Sequence, residues 1–140
     1  MIQVGDLTPF QNFIYMNTIG WIVTVDEYYT QKVQYILDTV LEELQENPHR
    51  RFMFVEQAFF QRWWHELSAT KRELVRKLVD RKQLDLTVNG GWCMHDEATP
   101  HFMAMVMQTY FGNHFPKTEF NLKPTVGWQI DPFVRSGRKE

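Results

Sequence analysis

The stretch Thr125-Val126-Gly127-Trp128-Gln129-Ile130-Asp131-Pro132-Phe133 decides how the rest of the chain is read. Val126, Trp128 and Ile130 alternate with smaller or polar residues, and Pro124 and Pro132 bracket a run of strand length. The run ends in an acid. At the carboxyl end of a parallel strand, Asp131 would stand where ligands and catalytic groups collect. An Asp-Pro turn that only stops the strand satisfies the same residues, because both are turn formers. The local pattern leaves both readings open.

Working back from that strand, the chain alternates strands with helices. Asn12–Met16 is apolar enough for a first strand. Thr24-Val25-Asp26-Glu27 has the form of a capping box. Val25, Tyr29, Val33, Ile36, Val40 and Leu44 then recur at helical spacing, which predicts a long amphipathic helix from about Val25 to Glu46, stopped by Asn47-Pro48. Arg51–Glu56, with Phe52 to Val55 unbroken, reads as a strand buried on both faces, as in a parallel sheet. The aromatic run Ala58–Trp64 follows, then a helix after Ser68 with Leu74, Val75, Leu78 and Val79 on one face. Leu84–Val88 alternates as a short strand. Thr99-Pro100 resembles an N-cap with proline at the first helical position, opening a helix to about Tyr110. The expected class is α/β: about four βα-type strands in a parallel sheet with covering helices.

Composition allows one domain. The 140 residues are 44% hydrophobic and 15% aromatic, ample for a packed core. Net charge is -2 and no face collects a basic run, so no nucleic-acid partner is expected. Cys93 is the single cysteine, which removes internal disulfides and Cys-pair metal sites. No apolar run reaches transmembrane length, and Met1–Asp6 lacks the basic and apolar regions of a secretion signal.

The loops hold the remaining chemistry. Gly90-Gly91-Trp92-Cys93-Met94-His95-Asp96-Glu97 gathers an aromatic, an imidazole and two acids. His95, Asp96 and His101 fit no helical zinc spacing, so the acids read as charges facing a helix N-terminus. Phe59-Phe60 and Trp63-Trp64 offer either a sugar platform or core, and core is the commoner fate of such aromatics. Cys93 reads as a half-buried thiol rather than a nucleophile.

Several motifs in collinear order carry a resemblance. They are Gly20-Trp21, Thr24 to Tyr29, Val33 to Asp38, Arg51-Phe52 with Val55-Glu56, Phe60 with Arg62-Trp63-Trp64, Asn89 to Trp92 with Met94 and Asp96 to Ala98, and Trp128 to Phe133. Together they resemble the N-terminal catalytic domain of family 38 glycoside hydrolases, the class II α-mannosidases, with the lysosomal-type branch nearest. The resemblance covers residues 20–133 and leaves 1–19 and 134–140 unmatched.

That resemblance implies a retaining α-mannosidase built on a seven-stranded β/α barrel, of which this chain would be part, with a zinc ion in the pocket. It makes Asp131 both nucleophile and zinc ligand, with Trp21 and Phe133 as pocket aromatics against the sugar. A nucleophilic carboxylate would form a covalent mannosyl intermediate while a second acid protonates the leaving oxygen. The implied partner is a mannose-containing glycan, and the family's location is lysosomal or secretory.

Departures from the family are equally specific. The family's His-x-His-x-Asp-x-Gly-Trp places its second histidine and its aspartate on zinc, whereas the same offsets from Gly20-Trp21 hold Ile14, Met16 and Thr18. A thioether and a neutral hydroxyl do not replace imidazole and carboxylate as zinc ligands. The family's last zinc histidine and its acid/base carboxylate lie in segments that follow the Asp-Pro-Phe motif and that this sequence does not contain. The expectation is a partial catalytic domain, inactive alone; the competing reading is a non-catalytic carbohydrate-binding or regulatory derivative. A partial barrel also predicts two unpaired parallel edges and uncovered apolar positions around Phe54 and Trp128, with self-association through the strand edges.

Overall fold

The computed structural model describes residues 2–3, 12–15, 22–89, 91–95 and 99–128. Its first helical stretch opens at Thr24, whose Oγ1 accepts from the Glu27 amide at 3.3 Å while Glu27 Oε2 accepts from the Thr24 amide at 3.0 Å. The capping box is complete. Those hydrogen bonds, the backbone one foremost, hold the Glu27 carboxyl below the usual carboxylate range.

The stretch runs as α1 (Val25–Tyr28), a π turn (Tyr29–Val33) and α2 (Gln34–Glu46). The π turn, marked by the Gln34 amide donating to Tyr29 O, adds one residue to the winding. It re-phases the apolar stripe: Tyr29, Val33, Leu37, Leu41 and Leu44 are buried, whereas the expected Ile36 and Val40 are half-buried and Val25 is exposed.

Strand β1 (Ile2–Gln3) pairs antiparallel with β2 (Asn12–Tyr15), which pairs parallel with β3 (Arg51–Phe54), which pairs parallel with β4 (Leu84–Asp85). The β2 edge is therefore not open along its length, since β1 lies against it at Ile2↔Ile14 and Gln3↔Phe13. The expected strand Leu84–Val88 is broken in two. Asp85 Oδ1 accepts from both the Thr87 amide and the Thr87 hydroxyl at 2.7 Å, and this local turn ends pairing with β3. β5 (Val88–Asn89) then pairs parallel with β6 (Val126–Gly127). β6 is shorter than the predicted Thr125–Asp131 strand, whose last three residues lie outside the described set.

Burial in β3 alternates: Phe52 and Phe54 are buried, Arg51 and Met53 half-buried. Phe54 is 1% exposed, which corrects the expectation that its surroundings would be bare; Val126, at 51%, is exposed instead. What covers Phe54 is α3 (Gln57–Glu66). Its Phe59, Phe60, Trp63 and Trp64 are all buried, so the aromatic run is core and not a sugar platform. Phe60 lies 5.6 Å from Phe54 and 5.5 Å from Trp63, and Phe115 and Phe120 close over it at 6.1 and 6.3 Å.

α4 (Ala69–Asp80) is capped by Ser68, whose Oγ accepts from the Lys71 amide. It ends in a Schellman motif, with Lys82 N donating to Val79 O and Gln83 N to Leu78 O, which requires Lys82 at φ +57. The buried Gln83 side chain then donates to Leu44 O and Asn47 O, satisfying carbonyls that the end of α2 leaves open. α5 (Phe102–Phe120) differs from its predicted form. His101, not Thr99, is its N-cap, through Nδ1 accepting from the Met103 amide. The helix runs ten residues beyond Tyr110, with Pro116 inside it.

Candidate functional site

The carboxyl ends of β3, β5 and β6 meet at one rim. Asn89 is in register with Gly127, and two residues further on Gly91 forms a parallel bridge with Glu56 just beyond β3. This is the end at which the ligands of parallel α/β sheets bind.

The rim is held chiefly by main-chain hydrogen bonds. Gln57 N and Ala58 N, two of the amides that the start of α3 cannot satisfy within the helix, donate to Gly91 O and Trp92 O at 3.1 and 2.9 Å. Trp92 N donates in turn to Gln108 O of α5 at 2.8 Å. Gly91 has φ +95, a conformation natural to glycine alone. Gly112 is required for a different reason. A Cβ there would overlap the Gly91 carbonyl carbon and the Trp92 nitrogen, so only a bare helix backbone can approach the turn.

Side chains complete the junction. Gln108 Oε1 accepts from Cys93 N at 3.0 Å and Gln108 Nε2 donates to Thr99 Oγ1 at 3.1 Å. Glu56, 3% exposed, accepts from Met94 N at 3.4 Å. A carboxylate this buried needs such donors, because desolvation otherwise disfavours its charge. Trp92 is half-buried with its ring edge-on to Phe111 at 6.4 Å.

Among the residues singled out from sequence, Asp131, Trp21, Phe133, Met16 and Thr18 lie outside the described residues, as do Asp96 and Glu97. Trp128, the last described, is half-buried one residue past β6. His95 Nε2 lies 3.3 Å from Thr109 Oγ1 while His101 caps α5, and no cluster of three or more His, Cys, Asp or Glu suited to a metal occurs among the described residues. Cys93 is half-buried, as expected.

Sequence reasoning passed over Glu56, Gln108 and Gly112. The signal for Glu56 was the one used for Asp131, an acid directly after an apolar strand. Gly112 could have been noticed as a glycine inside an otherwise apolar helix, where it weakens the helix by about 0.5–1 kcal/mol relative to alanine unless backbone approach requires it.

The model of the glycosyl hydrolases family 38 N-terminal domain matches residues 17–138. The chain belongs to glycosyl hydrolase family 38. It is 51% identical over 126 residues to an α-mannosidase of Arabidopsis thaliana, covering 84% of this chain and 12% of that protein. An α-mannosidase of Canavalia ensiformis is 48% identical over 126 residues, 84% of this chain and 13% of its own length. A lysosomal α-mannosidase of Cavia porcellus is 42% identical over 146 aligned positions, 97% of this chain and 14% of its own. This family 38 chain thus spans roughly an eighth of the length of these relatives.

Proposed function

We propose that this chain is part of an α-mannosidase catalytic domain of the kind that hydrolyses terminal α-linked mannose in glycans with retention, and that it turns over no glycoside by itself. The supporting observation is the placement of β6. It runs parallel to β5 into the rim formed with Glu56 and Gly91, so Asp131 follows four residues after the strand that ends there. Strands paired in chain order, β2 with β3, β3 with β4 and β5 with β6, suit an arc of the family's seven-stranded barrel.

On this reading the Asp131 carboxylate bonds to the anomeric carbon as the glycosidic bond breaks. The departing oxygen takes its proton from a second carboxyl group about 5–5.5 Å away, and the same group later deprotonates the water that releases mannose. Glu56 is engaged with the Met94 amide and is not assigned that role. The residues present do not fit zinc. Met16 and Thr18 occupy positions where the resemblance requires imidazole and carboxylate. The glycan partner and a lysosomal or secretory location belong to the same proposal, the latter because relatives are named as lysosomal.

The test is release of a chromogenic α-mannoside by the purified chain, with and without added zinc, beside calorimetric titration with mannose. Neither turnover nor binding is the expected result. Turnover would overturn the claim of inactivity, and binding without turnover would favour the carbohydrate-binding derivative.

A further inference from the structure

We infer that the outer face of α5 is a self-association surface, and that its occupant is the same face of a second copy of this chain. The inference is drawn for this chain by itself, not for the longer relatives of which it spans roughly an eighth. α5 is fixed from one side only, where Gly112, Phe115 and Pro116 are buried against the Gly91 turn and the aromatic core. On its other side Phe102, Met103, Val106, Met107, Tyr110 and Phe111 are 43–66% exposed. They fall at i, i+1, i+4, i+5, i+8 and i+9, two adjacent ridges of one helix. From Phe102 to Pro116 the sequence holds no Asp, Glu, Lys or Arg.

The area of the stripe is that of a contact surface. With large apolar side chains carrying roughly 150–200 Å² each, the stripe presents on the order of 600 Å², at the upper end of what a monomer leaves exposed. Two such faces together remove about 1,200 Å², the lower bound of a specific interface. Other occupants fit worse. No described helix is long and apolar enough to cross a membrane, and Lys117 is the one Lys or Arg in α5, short of the basic polar face by which an interfacial helix holds anionic lipid.

The surface is also self-complementary. Beyond the stripe's centre lies a groove of about 610 Å³ whose lining includes Val106, Tyr110, His114 and Lys117. A two-fold axis through Val106 and Met107 sets the helices antiparallel and delivers the second copy's Phe102 to that groove, with each Phe102 reciprocated. Antiparallel helices also place opposite macrodipole ends together.

Sedimentation of the whole chain tests this. The wild type is expected to dimerise in the micromolar range, Val106→Glu to weaken the dimer at least about tenfold, and Val126→Lys at the β6 edge to leave it unchanged. Both positions are exposed, so circular dichroism should show all three proteins folded alike. In a Cys93→Ser background, Val106→Cys should cross-link to itself on mild oxidation. A wild-type monomer at about 100 µM would overturn the proposal. So would association that Val126→Lys abolishes and Val106→Glu does not, or a folded Val106→Cys protein that fails to cross-link.

Discussion

Residues 25–86 and residues 91–128 solve the same problem differently. In the first region every helix finds a partner within the region. α2 lays Leu37, Leu41 and Leu44 on the core, α3 supplies four buried aromatics, and α4 closes with Val75, Leu78 and Val79. Most of its polar ends are settled locally too, by the Thr24 capping box, the Ser68 cap and the Gln83 side chain beneath α2, while the start of α3 relies on Gly91 and Trp92. In the second region one long helix carries a wide apolar surface and is buried only in its C-terminal half, at Gly112, Phe115 and Pro116. A large apolar area left in water is a statement about a neighbour. The first region buries its apolar faces, with Phe115 and Phe120 closing over Phe60; the second leaves much of its own in water.

The sharpest way to break that contrast is to truncate one aromatic in each region. Phe60→Ala, at 0% exposure amid four aromatic neighbours, should cost about 3–5 kcal/mol in denaturant unfolding, whereas Phe102→Ala, at 66%, should cost under about 0.5 kcal/mol. Equal losses would mean that the two regions are not different in kind.

Gly112→Ala probes the seam between them. The added methyl meets main chain that cannot rotate away, and overpacking of this sort costs about 1–3 kcal/mol. Hydrogen exchange should show α5 losing protection while α2 and α4 keep theirs. Gly127→Ala is the control, because nothing lies within 4 Å of its added Cβ.

Within the first region, Tyr29 offers a titration. Its hydroxyl donates to Glu66 Oε2 at 2.5 Å, and Arg62 lies over its ring at 4.1 Å. Burial first, then the Glu66 bond, pushes the phenol above its ordinary value. The stability this contributes is intact below about pH 10, where an unfolded tyrosine is still protonated, and declines as pH rises through the folded value. Tyr29→Phe should lose about 1 kcal/mol at pH 8 and show a shallower decline above about pH 10. An unchanged slope would separate the hydrogen bond from the titration.

The smallest effect expected is a gain. Lys82→Gly relieves the left-handed conformation at the end of α4 and should add about 0.5–1 kcal/mol. The gain should appear in equilibrium unfolding and leave α5 exchange untouched.

What was legible in the sequence follows from which forces are local. The Thr24 to Glu27 box, the Ser68 cap and the apolar run at Phe52 to Val55 are readable because their partners lie within a few residues. The π turn at Tyr29–Val33 was not, since a one-residue rewinding answers to burial of Tyr29 against Phe59 of α3 and of Val33 in the core, and leaves no compositional mark. The helix opened at Thr99 was expected to end near Tyr110, whereas α5 runs on to Phe120, with Gly112 set against the Gly91 turn and Pro116 inside the helix. The break at Leu86 depended on Asp85 turning its carboxylate to Thr87 instead of outward. At the site, family motifs named Asp131, Trp21 and Phe133, which lie outside the described residues. Glu56 stood among the family motifs without a role, because its partners lie across the sheet, at Gly91 and Met94.

The junction of α3, the Gly91 turn and α5 has a consequence for descent. Three of its bonds, Gln57 to Gly91, Ala58 to Trp92 and Trp92 to Gln108, are written in amides and carbonyls that nearly every residue type carries. Substitution therefore passes over them almost silently, with Gly91 and Gly112 as the fixed points. A lineage can exchange the side chains displayed around such a rim, or lose its reactive ones, while inheriting the frame unaltered. Kinship of scaffold can outlast the chemistry for which the scaffold was first kept.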